Sequence, residues 1–192
     1  MFIRARYGHG GRIGYDREWR ASKDVAGGGE LIDQGVHVID LIRHVTGEEF
    51  NAAIGFVETM FWNMEVEDNA FVTLKNNKNQ VAQFHVSCTS WKNTFSFEIF
   101  CKTGQISING LGRSYGIETL TFYKMRPEMG VPDTFTFSWE DGVDRSWERE
   151  FLDLFDAIET GRKPNGDVTD ALASVKIVHD IYDWSNKHKV GP

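Results

Sequence analysis

The sequence predicts an α+β domain, an open, largely antiparallel β-sheet with helices packed on one face. Three patterns point there. Residues about 51–62, 67–75, 80–89, 94–102, 105–109, 117–124 and 133–140 alternate apolar and polar side chains, the period of half-buried strands. Asn76-Asn77-Lys78-Asn79 and Thr103-Gly104 are tight hairpin signals between neighbouring segments. Helical periodicity occurs once before this region and twice after it.

The elements follow in chain order. Phe2-Ile3-Arg4-Ala5-Arg6-Tyr7 alternates from the second residue on, so a strand is expected at once, as in a chain cut from something longer. A loop rich in Gly, Arg and aromatics runs from 8 to about 29. A helix is expected from about 30 to 46, stopped by Gly47. Within the strand region, Ala82, Phe84, Val86 and Cys88 share a face, as do Phe95, Phe97, Ile99 and Cys101, and Phe135, Phe137 and Trp139. That face is expected to be buried, and both cysteines are read as buried thiols. The other face carries Gln83, His85 and Ser87, and Thr134, Thr136 and Ser138. Two helices close the chain, about 144–161 and 168–187, the first with a stripe of Phe151, Leu154, Phe155 and Ile158.

The 192 residues are 41% hydrophobic and 26% charged, the composition of one globular domain, 1–192. Twenty-eight acids against 21 bases leave a net charge of −7, so nucleic acid and anionic membrane surfaces are not expected partners. No apolar run approaches the roughly 20 residues that span a bilayer, and no signal-peptide pattern precedes the first strand. A cytoplasmic location is the expectation. Two cysteines without a CxxC pair suggest neither a disulfide framework nor a cysteine metal site.

The chemistry-bearing stretch runs from Gly27-Gly28-Gly29 to Asp40. At about 100° per residue, Asp33, His37, Asp40 and His44 fall within an arc of roughly 60°. Leu31, Val38, Leu41, Ile42 and Val45 lie opposite. The stripe is either a solvated polar face or one side of a site. Asp33 and His37 stand i to i+4, where a carboxylate can orient an imidazole that acts as a base. Three glycines ahead of a helix imply a close approach or positive φ, with plain flexibility as the alternative. A metal ion is the competing chemistry, as in a metal-dependent isomerase or lyase. Asp33 and His44 are about 16 Å apart along the axis, so the four cannot share one ion. No HExxH or HxH accompanies them, and no metal is expected.

Gly8-His9-Gly10-Gly11-Arg12-Ile13-Gly14 has the outline of a nucleotide fingerprint, but no apolar helical run follows Gly14. Arg12, Tyr15, Trp19 and Arg20 are instead candidates for the wall of a site taking a hydroxyl-rich or phosphate-bearing substrate. Trp91, Lys92 and Asn93 are further candidate contacts.

Gly27-Gly28-Gly29, Leu31, Asp33, Gly35, His37 and Asp40 resemble the GGGxLxDxGxHxxD signature of the glucose-fructose oxidoreductase, inositol dehydrogenase and MocA group, the Gfo/Idh/MocA family. The opening strand with Trp19-Arg20, and the closing Phe155 to Leu172, are similar to the two ends of that family's C-terminal domain. The resemblance implies the C-terminal, substrate-binding and oligomerising half of an NAD(P)-dependent oxidoreductase that acts on a sugar, nucleotide sugar or cyclitol hydroxyl. It implies Asp33 and His37 as the catalytic pair, Gly28 and Gly29 near the cofactor, and Asp40 in support. The Rossmann domain is absent, with its GxGxxG and its catalytic lysine, so NAD or NADP is expected in the full-length enzyme and none in this chain. The expected partners are a sugar-like small molecule, the N-terminal Rossmann domain, and a second copy through the open sheet face. A non-catalytic binding or oligomerisation module of the same fold is the alternative.

Overall fold

A computed structural model describes residues 1–140 and 143–189, apart from the side chain of residue 113. Its strands are β1 (Phe2–Gly8), β2 (Ala52–Glu58), β3 (Asn69–Lys75), β4 (Val81–Ser87), β5 (Thr94–Phe100), β6 (Gly104–Asn109), β7 (Glu118–Lys124) and β8 (Asp133–Trp139). They form a single sheet in the order β2-β3-β4-β1-β5-β6-β7-β8. Every neighbouring pair is antiparallel except β1 with β4. The expected hairpins join β3 to β4 and β5 to β6.

The first strand therefore slots between β4 and β5, which are consecutive in sequence. Their connection has to cross the end of β1. Ser90 N–H donates to the His9 carbonyl at 2.9 Å, and a side chain on Gly10 would press on the Trp91 backbone at 2.9 Å. The glycine-rich start of the first loop is thus explained by a chain crossing. This crossing brings the loops after β1 and β4 to the same end of the sheet.

One face of β1 to β5 is covered by the helices α2 (Val36–Thr46) and α4 (Val168–Lys187). Ile3, Leu74, Phe84 and Phe97 pack with Leu31, Val38, Ile39 and Ile42 from the first helical segment and Ile177, Val178 and Ile181 from α4. Burying this many branched and aromatic side chains is the main stabilising contribution, about 1.5–3 kcal/mol for each. Ile39 lies in the core and Val45 is exposed, so the buried arc sits slightly to one side of the one expected.

Three expectations fail for one reason. Phe135, Phe137 and Trp139 are about half exposed at 49%, 57% and 52%. The stripe on α3 (Ser146–Thr160) is exposed too, and of that helix only Ala157 is buried. Cys101 is exposed, whereas Cys88 is buried. The helices reach only as far as the middle of the sheet: Ile106 and Ile108 of β6 still pack against the core, whereas β8 and α3 carry apolar side chains left largely exposed in the described chain. Alternation marks a face as apolar; it cannot say what lies over it.

Candidate functional site

The site begins at the glycine junction. The short helix α1 (Lys23–Ala26) ends at Gly27, whose φ of +77° is left-handed. The chain then runs against Glu67. Gly29 N–H and Leu31 N–H each donate to the Glu67 carboxylate at 3.1 Å, and Glu30 N–H donates to the Glu67 carbonyl at 3.1 Å. Tyr182 O–H donates to the same carboxylate at 2.7 Å. A Cβ on Gly29 would sit 1.9 Å from the Glu67 carbonyl oxygen, and one on Gly28 would sit 2.3 Å from the Tyr182 hydroxyl. The expected close approach is real, and it is made by this domain's own Glu67 and Tyr182. Burial pushes the Glu67 carboxyl above its usual range, against the opposing pull of those donors. Burial likewise raises the Tyr182 phenol, with the Glu67 charge beside it.

From the junction the chain enters a π-helical turn, Leu31–Gly35, that leads into α2. The extra residue in such a turn shifts everything after it relative to everything before it. The stripe of the sequence reading is therefore broken between Asp33 and His37. No hydrogen bond or ion pair joins the two. Asp33 lies 3.6 Å from Arg20 Nε instead, and the exposed His37 ring has no hydrogen-bond or ion-pair partner among the described residues. Asp40 faces Arg43 Nη1 at 3.4 Å, and Arg43 also bridges Glu49 and Asp170. The Glu49 hydrogen bond raises the Arg43 guanidinium and lowers the Glu49 carboxyl. Asp40 thus belongs to an ion network that ties α2 to α4, apart from Asp33.

Two adjoining recesses of about 160 and 280 Å³ open beside Asp33, and both are lined by Tyr15, Arg20 and Asp33. Trp19, Gly28, Gly29 and Glu30 also line the first, with the apolar Ile32 and Met64; His9, Arg12 and Gln34 are in the second. The structure thus brings together Arg12, Tyr15, Trp19, Arg20, Gly28, Gly29 and Asp33. His37 stands one turn further on and lines neither recess. Trp91 and Lys92 also lie outside them. Trp91 is linked to the wall only through an aromatic chain, at 6.1 Å from Trp62, which is 5.8 Å from Tyr15.

Sequence reasoning missed the acid beneath the recess. Glu30 is 2% exposed; Tyr15 O–H donates to its Oε1 at 3.3 Å and His9 Nε2 lies 3.6 Å away. Burial and then the Glu30 charge push the Tyr15 phenol well above its ordinary value. Gly11 N–H donates to His9 Nδ1, so the neutral ring keeps its hydrogen on Nε2, facing Glu30. A charged residue directly after three glycines looks like an ordinary first-turn acid, and nothing in the pattern shows that it is buried. Asp68 was missed as well. It accepts the backbone N–H groups of Met60, Phe61 and Trp62 at 2.8, 2.8 and 2.9 Å and so shapes the loop that carries Trp62.

Among the described residues, no three His, Cys, Asp or Glu side chains gather as a metal cluster, and no helix is long and apolar enough to cross a membrane. Comparison with known proteins gives a consistent result. A family model described as the GFO/IDH/MocA C-terminal domain matches residues 1–107. No curated protein matches the chain by sequence. Among solved structures, levoglucosan dehydrogenase in complex with NADH aligns with a TM-score of 0.84 at 21% identity, over 97% of this chain and 56% of that one. The aldose-aldose oxidoreductase from Caulobacter crescentus, complexed with glycerol, aligns at 0.77 with 21% identity, over 98% and 54%. The UDP-N-acetylglucosamine 3-dehydrogenase from Acidithiobacillus ferrooxidans aligns at 0.73 with 14% identity, over 97% and 55%. The chain thus spans little more than half the length of the structures it matches.

Proposed function

The chain belongs to the GFO/IDH/MocA family as a C-terminal domain, and from that premise we propose that it is the substrate-binding half of an NAD(P)-dependent oxidoreductase acting on a hydroxyl of a sugar, nucleotide sugar or cyclitol. The observation that carries this reading is the pair of recesses beside Asp33, walled by Tyr15, Trp19, Arg12 and Arg20, with the exposed His37 imidazole one turn away. In it the recess holds the polyol by hydrogen bonds from the arginines and to the Asp33 carboxylate. His37 accepts the proton of the hydroxyl being oxidised. NAD or NADP, when bound, supplies the hydride acceptor.

At the glycine junction the N–H groups of Gly29, Glu30 and Leu31 are all taken by Glu67, so the free amides that would cradle a pyrophosphate are missing. In our reading the cofactor is held by a separate Rossmann unit. The exposed α3 stripe supports a missing neighbour, since an amphipathic helix normally buries its apolar side. The sheet face away from the helices, with Phe2 stacked on Phe100 at 4.3 Å and Phe71 on His85 at 4.3 Å, is proposed to pair with a second copy. Trp91, Lys92 and Asp40 are proposed only as supporting residues.

The test is turnover with a polyol panel and NAD or NADP. The polypeptide that joins this domain to a Rossmann unit is expected to turn over and the 192-residue chain alone to be inactive. Turnover by the chain alone removes the division of labour, and inactivity of both favours a non-catalytic module.

A further inference from the structure

The recess carries its own statement about charge. Its charged lining consists of Arg12, Glu18, Arg20, Glu30 and Asp33. Both cations are already matched: Arg12 Nε lies 2.7 Å from Glu18, and Arg20 Nε lies 3.6 Å from Asp33. The third carboxylate, Glu30, has no cation of its own. Its Oε1 faces the hydroxyl of Tyr15 and the ring of His9, while its Oε2 is buried without a hydrogen-bond partner. The Cys88 thiol faces the same carboxyl and is only a weak donor. A second buried oxygen, Gln34 Oε1 in the adjoining recess, also has no partner. Both unsatisfied atoms are acceptors.

Both oxygens are closed off behind the wall, so a hydroxyl donor reaches them only where the lining gives way, whereas the uncompensated Glu30 charge acts on the recess in either case. Hydroxyl groups bring donors. A phosphate or carboxylate brings only acceptors and a negative charge, and here it would meet two arginines whose charge is already matched and a surplus carboxylate. We infer that the recess selects an uncharged, hydroxyl-rich substrate, a free sugar, glycoside or cyclitol, and rejects sugar phosphates, uronates and nucleotide sugars. This rests on the sugar-binding reading above and narrows it.

The experiment titrates the chain with myo-inositol, D-glucose, D-glucuronate, glucose 1-phosphate and UDP-glucose, following binding by ligand-observed NMR and by tryptophan fluorescence. At least one uncharged ligand is expected to saturate, and the anionic ligands to bind weaker by about tenfold or more. Anionic ligands that bind as well as the uncharged ones overturn the inference and leave the sugar-binding reading standing. No saturable binding by any of them overturns both. Glu30→Gln removes the surplus charge at constant shape and is expected to shrink the uncharged-to-anionic ratio. An unchanged ratio in a variant that unfolds at the wild-type temperature contradicts the role given to Glu30.

Discussion

Glu67 and Asp68 are neighbours, both buried, and they respond oppositely to pH. Burial presses both carboxyls upward. For Asp68 the three loop N–H groups and the Asn69 amide outweigh it, so its folded pKa is depressed. Its stabilising contribution is present above the unfolded value and is lost as pH falls through the folded one. For Glu67 burial outweighs its donors, and the folded pKa is raised. There the folded state holds the extra proton, so stability falls as pH rises from the ordinary glutamate value through the raised one. Asp68→Ala leaves three half-buried loop N–H groups and the Asn69 amide without their acceptor and is expected to cost about 2–3 kcal/mol in urea unfolding. Glu67→Gln is expected to flatten the fall of the pH–stability curve that begins at the ordinary glutamate value, and a curve of unchanged slope contradicts the assignment. Neither role was legible beforehand, since an acid in a strand-side loop looks the same whether it holds up a backbone or faces water.

The strands and the three long helices were legible, most ends within two residues and the end of β2 four residues off, because alternation and helical spacing are local. The π turn at Leu31–Gly35 was not, since one extra residue leaves no mark on a short apolar pattern. It separates Asp33 from His37 and hands Asp33 to Arg20. The triple glycine was legible as a demand for space, but its cause lies in Glu67 and Tyr182, far away in sequence. Gly27→Ala, strained only by its positive φ and with open space around it, should cost about 1–2 kcal/mol. Gly29→Ala drives a methyl into a backbone carbonyl and should cost more than about 3 kcal/mol by thermal or urea unfolding. Equal costs contradict the account of the junction.

Across the whole molecule, inserting β1 between β4 and β5 gathers the loops of one sheet end around the recess, and the remaining exposed apolar surface points to partners. The α3 stripe was read correctly as amphipathic and wrongly as covered, because periodicity carries no information about a neighbour. The sheet face bearing Phe2, Phe71 and Phe100 is expected to make the chain self-associate at high concentration. Light scattering that stays monomeric contradicts that assignment. The central claim is that the polyol is oxidised beside Asp33 with His37 as the proton acceptor. Its most direct measurement is kcat of His37→Ala in the polypeptide that includes the Rossmann unit. A fall of about 10²-fold or more is predicted, and an unchanged kcat contradicts it.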